Sequence, residues 1–227
     1  MGRPGRDARP EVGPVSAGDA PSALSAADVA AWIRRAAELV AADAEHLTRL
    51  DAAIGDGDHG LNLDRGFAAA VAALPSGDAA PGKVLIAAGR AIVSKTGGAS
   101  GPLYGTALRR AGKAFGDAAE IDAAALGAGL QAALDGVREL GQAEPGDKTM
   151  VDALGPAAAA ALAAADLPSA VRAAADAASE GAEATVAMRA RKGRASYLGE
   201  RSVGHMDPGA ASTALLLRAL ADVASSR

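Results

Sequence analysis

The sequence contains no cysteine. A chain without cysteine has no disulfide framework, no thiolate zinc site and no cysteine nucleophile. This composition fits a reducing compartment. The arginines near the N-terminus are not followed by a compact apolar stretch, so a secretory signal is not expected either. We therefore expect a cytoplasmic protein.

Aromatic residues are scarce, with one Trp, two Tyr and two Phe among 227 residues. β-Sandwiches and β-barrels need many aromatic and β-branched strand residues, so this scarcity excludes an all-β fold. Alanine, in contrast, occupies 64 of the 227 positions. Because alanine is the best helix former, the composition predicts an all-α protein whose helices pack closely around small side chains.

The sequence also lacks a basic excess and a long apolar run. Its net charge is −4 and its pI is about 5.4, which argues against a nucleic-acid-binding surface. No stretch reaches the roughly 18 strongly apolar residues that a membrane span needs. The sequence therefore predicts neither a nucleic-acid partner nor a membrane span.

The pattern along the chain predicts one helical domain over residues 25–227. Residues 1–24 are rich in proline, glycine and charge, so we interpret them as a disordered tail. An apolar period of about 3.6 residues then begins, with Ser25 as the N-cap and Asp28 as its partner in a capping box. Short connections predict that successive helices are antiparallel neighbours. Seven further helices are predicted near residues 60–74, 83–95, 102–115, 122–140, 149–165, 169–191 and 209–225.

The first polar loop carries three carboxylates, Asp51, Asp56 and Asp58, separated by glycines. Carboxylates at this spacing repel one another unless a cation neutralises them. Mg²⁺ typically binds a few carboxylates together with substrate phosphates, so the loop predicts a magnesium site open to a nucleotide. An EF-hand is excluded, because counting from Asp56 places Gly60 at the fifth position and Phe67 at the twelfth.

Three further polar loops span residues 96–106, 141–152 and 193–209. The second polar loop, residues 96–106, is glycine-rich and opens a helix. A helix N-terminus favours phosphate, but this loop lacks the Walker A pattern. The third polar loop, residues 141–152, is by itself interpreted as the capped start of a helix. The fourth polar loop, residues 193–209, contains Arg194 and Arg201, which can pair with phosphates or remain solvated. It ends in Asp207-Pro208-Gly209, a tight turn that opens the last helix.

Taken together, residues 51–62, 97–106, 146–154 and 193–209 resemble, in order, the four signature segments of the dihydroxyacetone kinase L family. This family is the ADP-binding subunit, also found as the C-terminal domain of ATP-dependent dihydroxyacetone kinases. The letters LDAAIGDGDHG and GERSVGHMDPGA are close to the family's own motifs. The resemblance covers residues 25–225 and implies an eight-helix antiparallel barrel with ADP and two Mg²⁺ bound at one end.

The resemblance also implies a set of site residues. Asp51, Asp56 and Asp58 match the metal ligands. The loop against the phosphates would be His59, Gly60, Leu61 and Asn62, although Leu61 is larger than the residue expected there. The remaining matches to nucleotide contacts are Ala99, Ser100, Gly141, Thr149, Met150, Arg194, Asp207, Pro208 and Gly209.

In this family the ketose is held on a separate K subunit, so the chain would supply half of an active site. In the phosphotransferase type, bound ADP is rephosphorylated in place by a phosphohistidine on an M subunit, and the predicted partners are therefore K-type and M-type subunits. The first alternative is an L-type subunit that uses exchangeable ATP, acting on dihydroxyacetone or a ketose such as erythrulose. The others are a nucleotide-loaded regulatory module that contacts a transcription factor and a Ca²⁺-binding helical bundle. A homodimer also stays open.

Overall fold

A computed structural model describes residues 22–227 of the chain. The predicted tail, residues 1–24, therefore lies outside the described residues except at its end. There Leu24 is 2% exposed and belongs to β1 (Leu24–Ser25), which pairs antiparallel with β2 (Glu120–Ile121). The first strand thus begins one residue before the predicted boundary, because Leu24 is apolar and packs into the core.

The described residues confirm the all-α prediction. Two 3-10 segments, Thr185–Ala187 and Arg194–Ser202, occupy most of the long connection before the last helix. The helices are α1 (Ala26–Ile54), α2 (His59–Ala72), α3 (Pro81–Lys95), α4 (Ser100–Phe115), α5 (Ala123–Gly141), α6 (Val151–Ala163), α7 (Leu167–Ala184) and α8 (Pro208–Ser225).

One helix boundary differs clearly from the prediction. The pattern extended the seventh helix to residue 191, whereas α7 ends at Ala184. The chain then tightens into the 3-10 turn Thr185–Ala187 and becomes extended at Met188. The Thr185 hydroxyl is engaged by Asp207 N–H, so a tertiary contact falls where the helix ends.

The start of α1 confirms the predicted capping box. The Ser25 hydroxyl accepts a hydrogen bond from Asp28 N–H at 3.3 Å, and Ser25 N–H donates to the Asp28 carboxylate at 2.7 Å. These bonds satisfy amides that the first helical turn would otherwise leave unpaired.

The helices form a closed ring in chain order, because each packs against the next and α8 packs against α1. At the closure, the Trp32 indole donates to Leu216 O at 2.8 Å, and Arg35 pairs with Asp222 at 2.8 Å. Successive helices pack side by side, and each connection joins the end of one helix to the nearby start of the next. The helices therefore alternate in direction. All even-numbered helices consequently begin at the same end of the ring.

Small residues let the helices approach closely, as the alanine-rich composition predicted. At the α3–α4 contact, a Cβ on Gly89 would lie 2.8 Å from Gly105 O, and one on Gly112 would lie 2.5 Å from Gly82 O. Both distances are shorter than ordinary contact, so these positions exclude any side chain. Within residues 22–227, no helix is both long and apolar enough to cross a membrane.

Candidate functional site

The even-numbered helices begin around a common cavity of about 410 Å³. Its walls include residues at the starts of α2, α4, α6 and α8, namely His59, Ser100, Met150 and Pro208. A helix N-terminus exposes unpaired N–H groups and carries a partial positive charge. Four such termini around one cavity form a site suited to an anion such as a phosphate chain.

Three carboxylates lie at one side of this cavity. Asp51 belongs to the last turn of α1, and Asp56 and Asp58 follow in the loop that leads to α2. One oxygen from each lies within 4.8 Å of the others, and all three residues line the cavity. A compact group of oxygen donors that faces an anion site fits Mg²⁺.

The geometry of this loop depends on Asp51, which is 8% exposed. Its carboxylate accepts hydrogen bonds from Asp58 N–H at 2.9 Å and His59 N–H at 3.2 Å. The end of α1 is thereby tied to the start of α2. Gly55 permits the tight return, because a Cβ there would lie 2.1 Å from an Asp51 carboxylate oxygen.

His59 is held between two hydroxyl groups. Its Nε2 lies 2.8 Å from Ser212 Oγ and its Nδ1 lies 3.1 Å from Ser100 Oγ. Burial lowers the pKa of His59, although Asp51 and Asp58 act in the opposite direction. A neutral ring at this position contributes hydrogen bonds and a fixed orientation at the cavity wall.

Tyr104 extends the same network into α8. Its hydroxyl lies 2.6 Å from Ser212 Oγ and donates to Gly209 O at 2.9 Å. Complete burial raises the pKa of Tyr104 to about 12, so the phenol stays protonated. The network joins the beginnings of α2, α4 and α8 through the side chains of His59, Ser100, Tyr104 and Ser212 and through the Gly209 carbonyl.

Asp207 caps α8 and confirms the predicted turn at that point. Its carboxylate accepts from Ala210 N–H at 2.8 Å, and its own N–H donates to Thr185 Oγ1 at 2.9 Å. Burial raises the pKa of Asp207 to about 7, while the bond from Ala210 and the charge of Lys148 oppose that rise.

Arg194 connects the fourth polar loop to the carboxylates. Its Nε lies 3.2 Å from an Asp56 oxygen, and its side chain remains 69% exposed. The guanidinium therefore stands at the open side of the cavity, within reach of anything that binds between the carboxylates and the helix N-termini. Arg201, the other arginine of this loop, is exposed and does not line the cavity.

The structure brings most of the predicted site residues together, although their individual roles stay predictions. Besides the carboxylates and His59, the cavity is lined by Ala99, Ser100, Thr149, Met150, Arg194, Asp207, Pro208 and Gly209.

Four predicted contacts lie elsewhere in the described chain. Gly60 faces α1, where a Cβ would lie 1.9 Å from Ala44 O, and Leu61 is 62% exposed. Asn62 is buried beside the glycine loop, and Gly141 ends α5. None of the four lines the cavity formed by residues 22–227.

Sequence reasoning did not single out several residues at the cavity. Lys148, Lys192 and Tyr104 line the cavity. The Ser212 hydroxyl holds the His59 ring through the contact with Nε2. Lys148 lies inside the third polar loop, and that position was the available signal in the sequence. Ser212 lies in the first turns of α8, and its sequence context does not distinguish it from an ordinary helix residue.

A family described as the DAK2 domain matches residues 53–222. The chain is 42% identical over 203 residues to the ADP-binding subunit DhaL of the PEP-dependent dihydroxyacetone kinase of Escherichia coli K12. That match covers 87% of this chain and 97% of the relative. A D-erythrulose kinase of Mycolicibacterium smegmatis is 44% identical over 199 residues, which are 82% of this chain and 33% of that protein.

A solved structure shows the same fold. The dihydroxyacetone kinase of C. freundii, crystallised with AMP-PNP and Mg²⁺, superposes with a TM-score of 0.66 and 29% identity. The superposition covers 97% of this chain and 38% of that chain. The all-helical ring described above therefore corresponds to one part of that longer chain.

Proposed function

The chain belongs to the DAK2 domain family, and from this premise we propose that it is the ADP-binding subunit of a dihydroxyacetone kinase. The observation that carries the proposal is the position of the three carboxylates, which lie beside a cavity walled by the starts of α2, α4, α6 and α8. Carboxylates suit the cation of a nucleotide–metal complex, and helix N-termini suit its phosphates. The relative from E. coli, which has nearly the same length, is named as an ADP-binding subunit.

In this proposal, Asp51, Asp56 and Asp58 would hold Mg²⁺, two ions in all, which would supply neutralisation of phosphate charge for phosphoryl transfer. The N–H groups at the helix starts and the Ser100 hydroxyl orient the phosphates. Arg194 exchanges its pairing with Asp56 for a phosphate oxygen when the nucleotide binds, because a guanidinium pairs well with either group.

We place the nucleoside against the wall formed by the starts of α6 and α8. Thr149 and Met150 at the start of α6, together with Asp207, Pro208 and Gly209 at the start of α8, form that wall. Met150 and Pro208 supply apolar surface and Thr149 and Asp207 supply polar groups, a combination that can receive a base and a ribose. Gly60, Leu61 and Asn62 in α2 and Gly141 at the end of α5 lie outside this wall, and their contacts with the nucleotide stay predictions.

We further propose that two partner proteins complete the reaction. A K-type subunit presents dihydroxyacetone to the bound nucleotide, and a phosphohistidine on an M-type subunit regenerates that nucleotide in place. The names of the E. coli relative and of a Listeria innocua relative, both PEP-dependent kinases with a separate ADP-binding subunit, support this arrangement. The chain's own residues would bind and orient the phosphates and exclude water from them, while the K-type and M-type subunits act as its partners.

The nucleotide and metal sites can be tested by calorimetric titration of ADP in the presence of Mg²⁺. We expect Asp56→Ala to weaken Mg²⁺-dependent ADP binding at least tenfold while circular dichroism stays unchanged, because Asp56 is exposed. Asp78→Ala, at an exposed loop position far along the chain, is the matched control and should bind like the wild type. Equal ADP affinity in the Asp56 variant would contradict the assignment, as would a wild type that does not bind ADP.

The similarity to D-erythrulose kinase supports a second candidate, an L-type subunit that uses exchangeable ATP on another small ketose. The two candidates differ in nucleotide exchange. A PEP-dependent subunit should retain radiolabelled ADP through a chase with unlabelled ATP, whereas an ATP-dependent one should exchange it rapidly. Reconstitution with a K-type subunit and each ketose would then identify the substrate.

A further inference from the structure

Lys148 is a charged residue buried at the cavity end of the ring. It is 1% exposed, although it lies in a loop between α5 and α6. Its backbone φ is +63°, a left-handed conformation that residues other than glycine rarely adopt. A buried ammonium and a strained backbone both cost free energy, and such costs persist where the surrounding structure requires that conformation.

The Lys148 ammonium bonds to two separate parts of the chain. Nζ donates to Thr185 O at 2.5 Å, where α7 has just ended, and also to His205 O. Thr185 in turn accepts from Asp207 N–H through its hydroxyl at 2.9 Å. We call the buried residues Lys148, Thr185 and Asp207, together with the main-chain carbonyl of His205, the buried clamp.

The buried clamp joins the two segments that form the nucleoside wall. Lys148 directly precedes Thr149 and Met150, while His205 stands two positions before Asp207 and 57 positions after Lys148. The segments touch, because a Cβ on Gly209 would lie 3.4 Å from Met150 Cβ. Their separation is therefore set by contacts between distant parts of the chain, and the ammonium provides two of them.

The electrostatic surroundings of the Lys148 ammonium act in opposite directions. Burial lowers the pKa of Lys148, and the nearby Asp207 carboxyl opposes that change. Both acceptors are main-chain carbonyls, whose dipoles favour a cation. Lys148 also lines the cavity, so a movement of this side chain changes the cavity wall directly.

We propose that Lys148 is a positioning residue of the nucleotide site, whose ammonium sets the spacing between Thr149–Met150 and Asp207–Gly209. The proposal rests on the proposed function for its readout, since it is the nucleoside that these two segments hold. A purely structural role would affect the whole site. The positioning role instead predicts that nucleotide release changes while metal binding by the three carboxylates does not.

The test compares Lys148→Met, which keeps the side-chain length but removes the donors, with Lys148→Arg, which keeps the charge. Lys113→Met, at an exposed lysine of α4, is the matched control. With Mg²⁺ present, we expect Lys148→Met to release ADP at least tenfold faster than the wild type. We expect Lys148→Arg to recover most of the slow release and Lys113→Met to behave like the wild type.

Two further measurements separate positioning from general damage. Mn²⁺ binding without nucleotide, followed by electron paramagnetic resonance, should be unchanged in Lys148→Met because the carboxylates are held by α1 and α2. Hydrogen exchange at Asp207 N–H and Ala210 N–H should accelerate in the same variant. ADP release within twofold of the wild type overturns the proposal, and so does an equal loss of ADP and Mn²⁺ binding.

The outcomes also distinguish this proposal from the proposed function. A wild type that does not bind ADP overturns the proposed function. Hydrogen exchange in Lys148→Met then tests the buried clamp by itself. Continued protection of both Asp207 N–H and Ala210 N–H overturns the clamp. If Lys148→Met does not unfold cooperatively, Lys148→Gly, which suits the positive φ, is measured with and without methylammonium. Recovery of slow ADP release by methylammonium supports the proposal, and no recovery overturns it.

Discussion

At the scale of single residues, Asp207 combines two effects that oppose each other. Its carboxylate caps α8 through Ala210 N–H, a bond that is stronger when the carboxylate is ionised. Its burial, however, disfavours ionisation and raises its pKa to about 7. The balance makes Asp207 a residue whose charge changes near neutral pH in the ligand-free protein, so stability should depend on pH through this one group.

We expect the ligand-free wild type to lose stability relative to Asp207→Asn as pH rises from about 4 to about 7. In this window the unfolded chain, with an ordinary aspartate pKa of 3.8, has released the proton that the folded chain retains. The free energy of unfolding should therefore fall, relative to the variant, by at most about 1.4 kcal/mol per pH unit. The shift is fully expressed above about pH 7, where both states are ionised.

Urea unfolding of both proteins at pH 4.5, 5.5, 6.5 and 7.5 would measure this difference. Asparagine also caps helices well, and both proteins share every other titrating group. Parallel stability curves for the two proteins would contradict the raised pKa.

At the scale of helices and strands, the contact between α3 and α4 shows how small residues determine the packing distance. Gly89 and Gly105 face each other across this contact, and each would place a Cβ less than 3 Å from the other's carbonyl oxygen. Gly155 in α6 is a contrasting case, because nothing lies within 4 Å of a Cβ built there. The same residue type is thus required at one helix surface and unnecessary at another.

We expect Gly89→Ala to lower the free energy of unfolding by about 1–3 kcal/mol, because the new methyl group collides with a neighbouring backbone. Gly155→Ala is the matched control and should raise stability by about 0.5–1 kcal/mol, since alanine favours a helix interior. Thermal unfolding followed by circular dichroism would measure both. A Gly89→Ala protein as stable as the wild type would show that α3 and α4 can separate freely.

At the scale of the whole molecule, the ring of helices gives the protein two different ends. The N-termini of α2, α4, α6 and α8 meet around the cavity, so their partial positive charges add at the place where the carboxylates provide a metal site. The three carboxylates repel one another, and a bound cation would relieve that repulsion. Binding of a metal–nucleotide complex should therefore stabilise the entire ring.

We expect ADP at about 100 times its dissociation constant, with Mg²⁺, to raise the free energy of unfolding by about 2.7 kcal/mol. Differential scanning fluorimetry would detect the corresponding rise in melting temperature. Addition of EDTA should abolish the rise, and ADP without Mg²⁺ should produce little of it. Stabilisation by ADP that persists in EDTA would exclude the carboxylates from nucleotide binding.

Much of this architecture could be predicted from local sequence. The capping box of Ser25 and Asp28 lies within one helical turn, and the three carboxylates lie within eight residues, so short-range geometry was sufficient for both. The contacts that complete the site span far greater distances. His59 and Ser212 are 153 residues apart, and Lys148 and His205 are 57 residues apart. No periodicity or spacing rule connects such pairs.

The sequence by itself therefore determined the helical class, the helix positions and the chemistry of the four polar loops, because alanine content, apolar period and glycine placement act locally. The tertiary structure decided which loop residues share the cavity. It placed Thr149 and Arg194 there, left Leu61 exposed, and brought Lys148 into the core. The physical reason is that only closure of the ring, with α8 packed against α1, gathers helix ends that are distant in sequence.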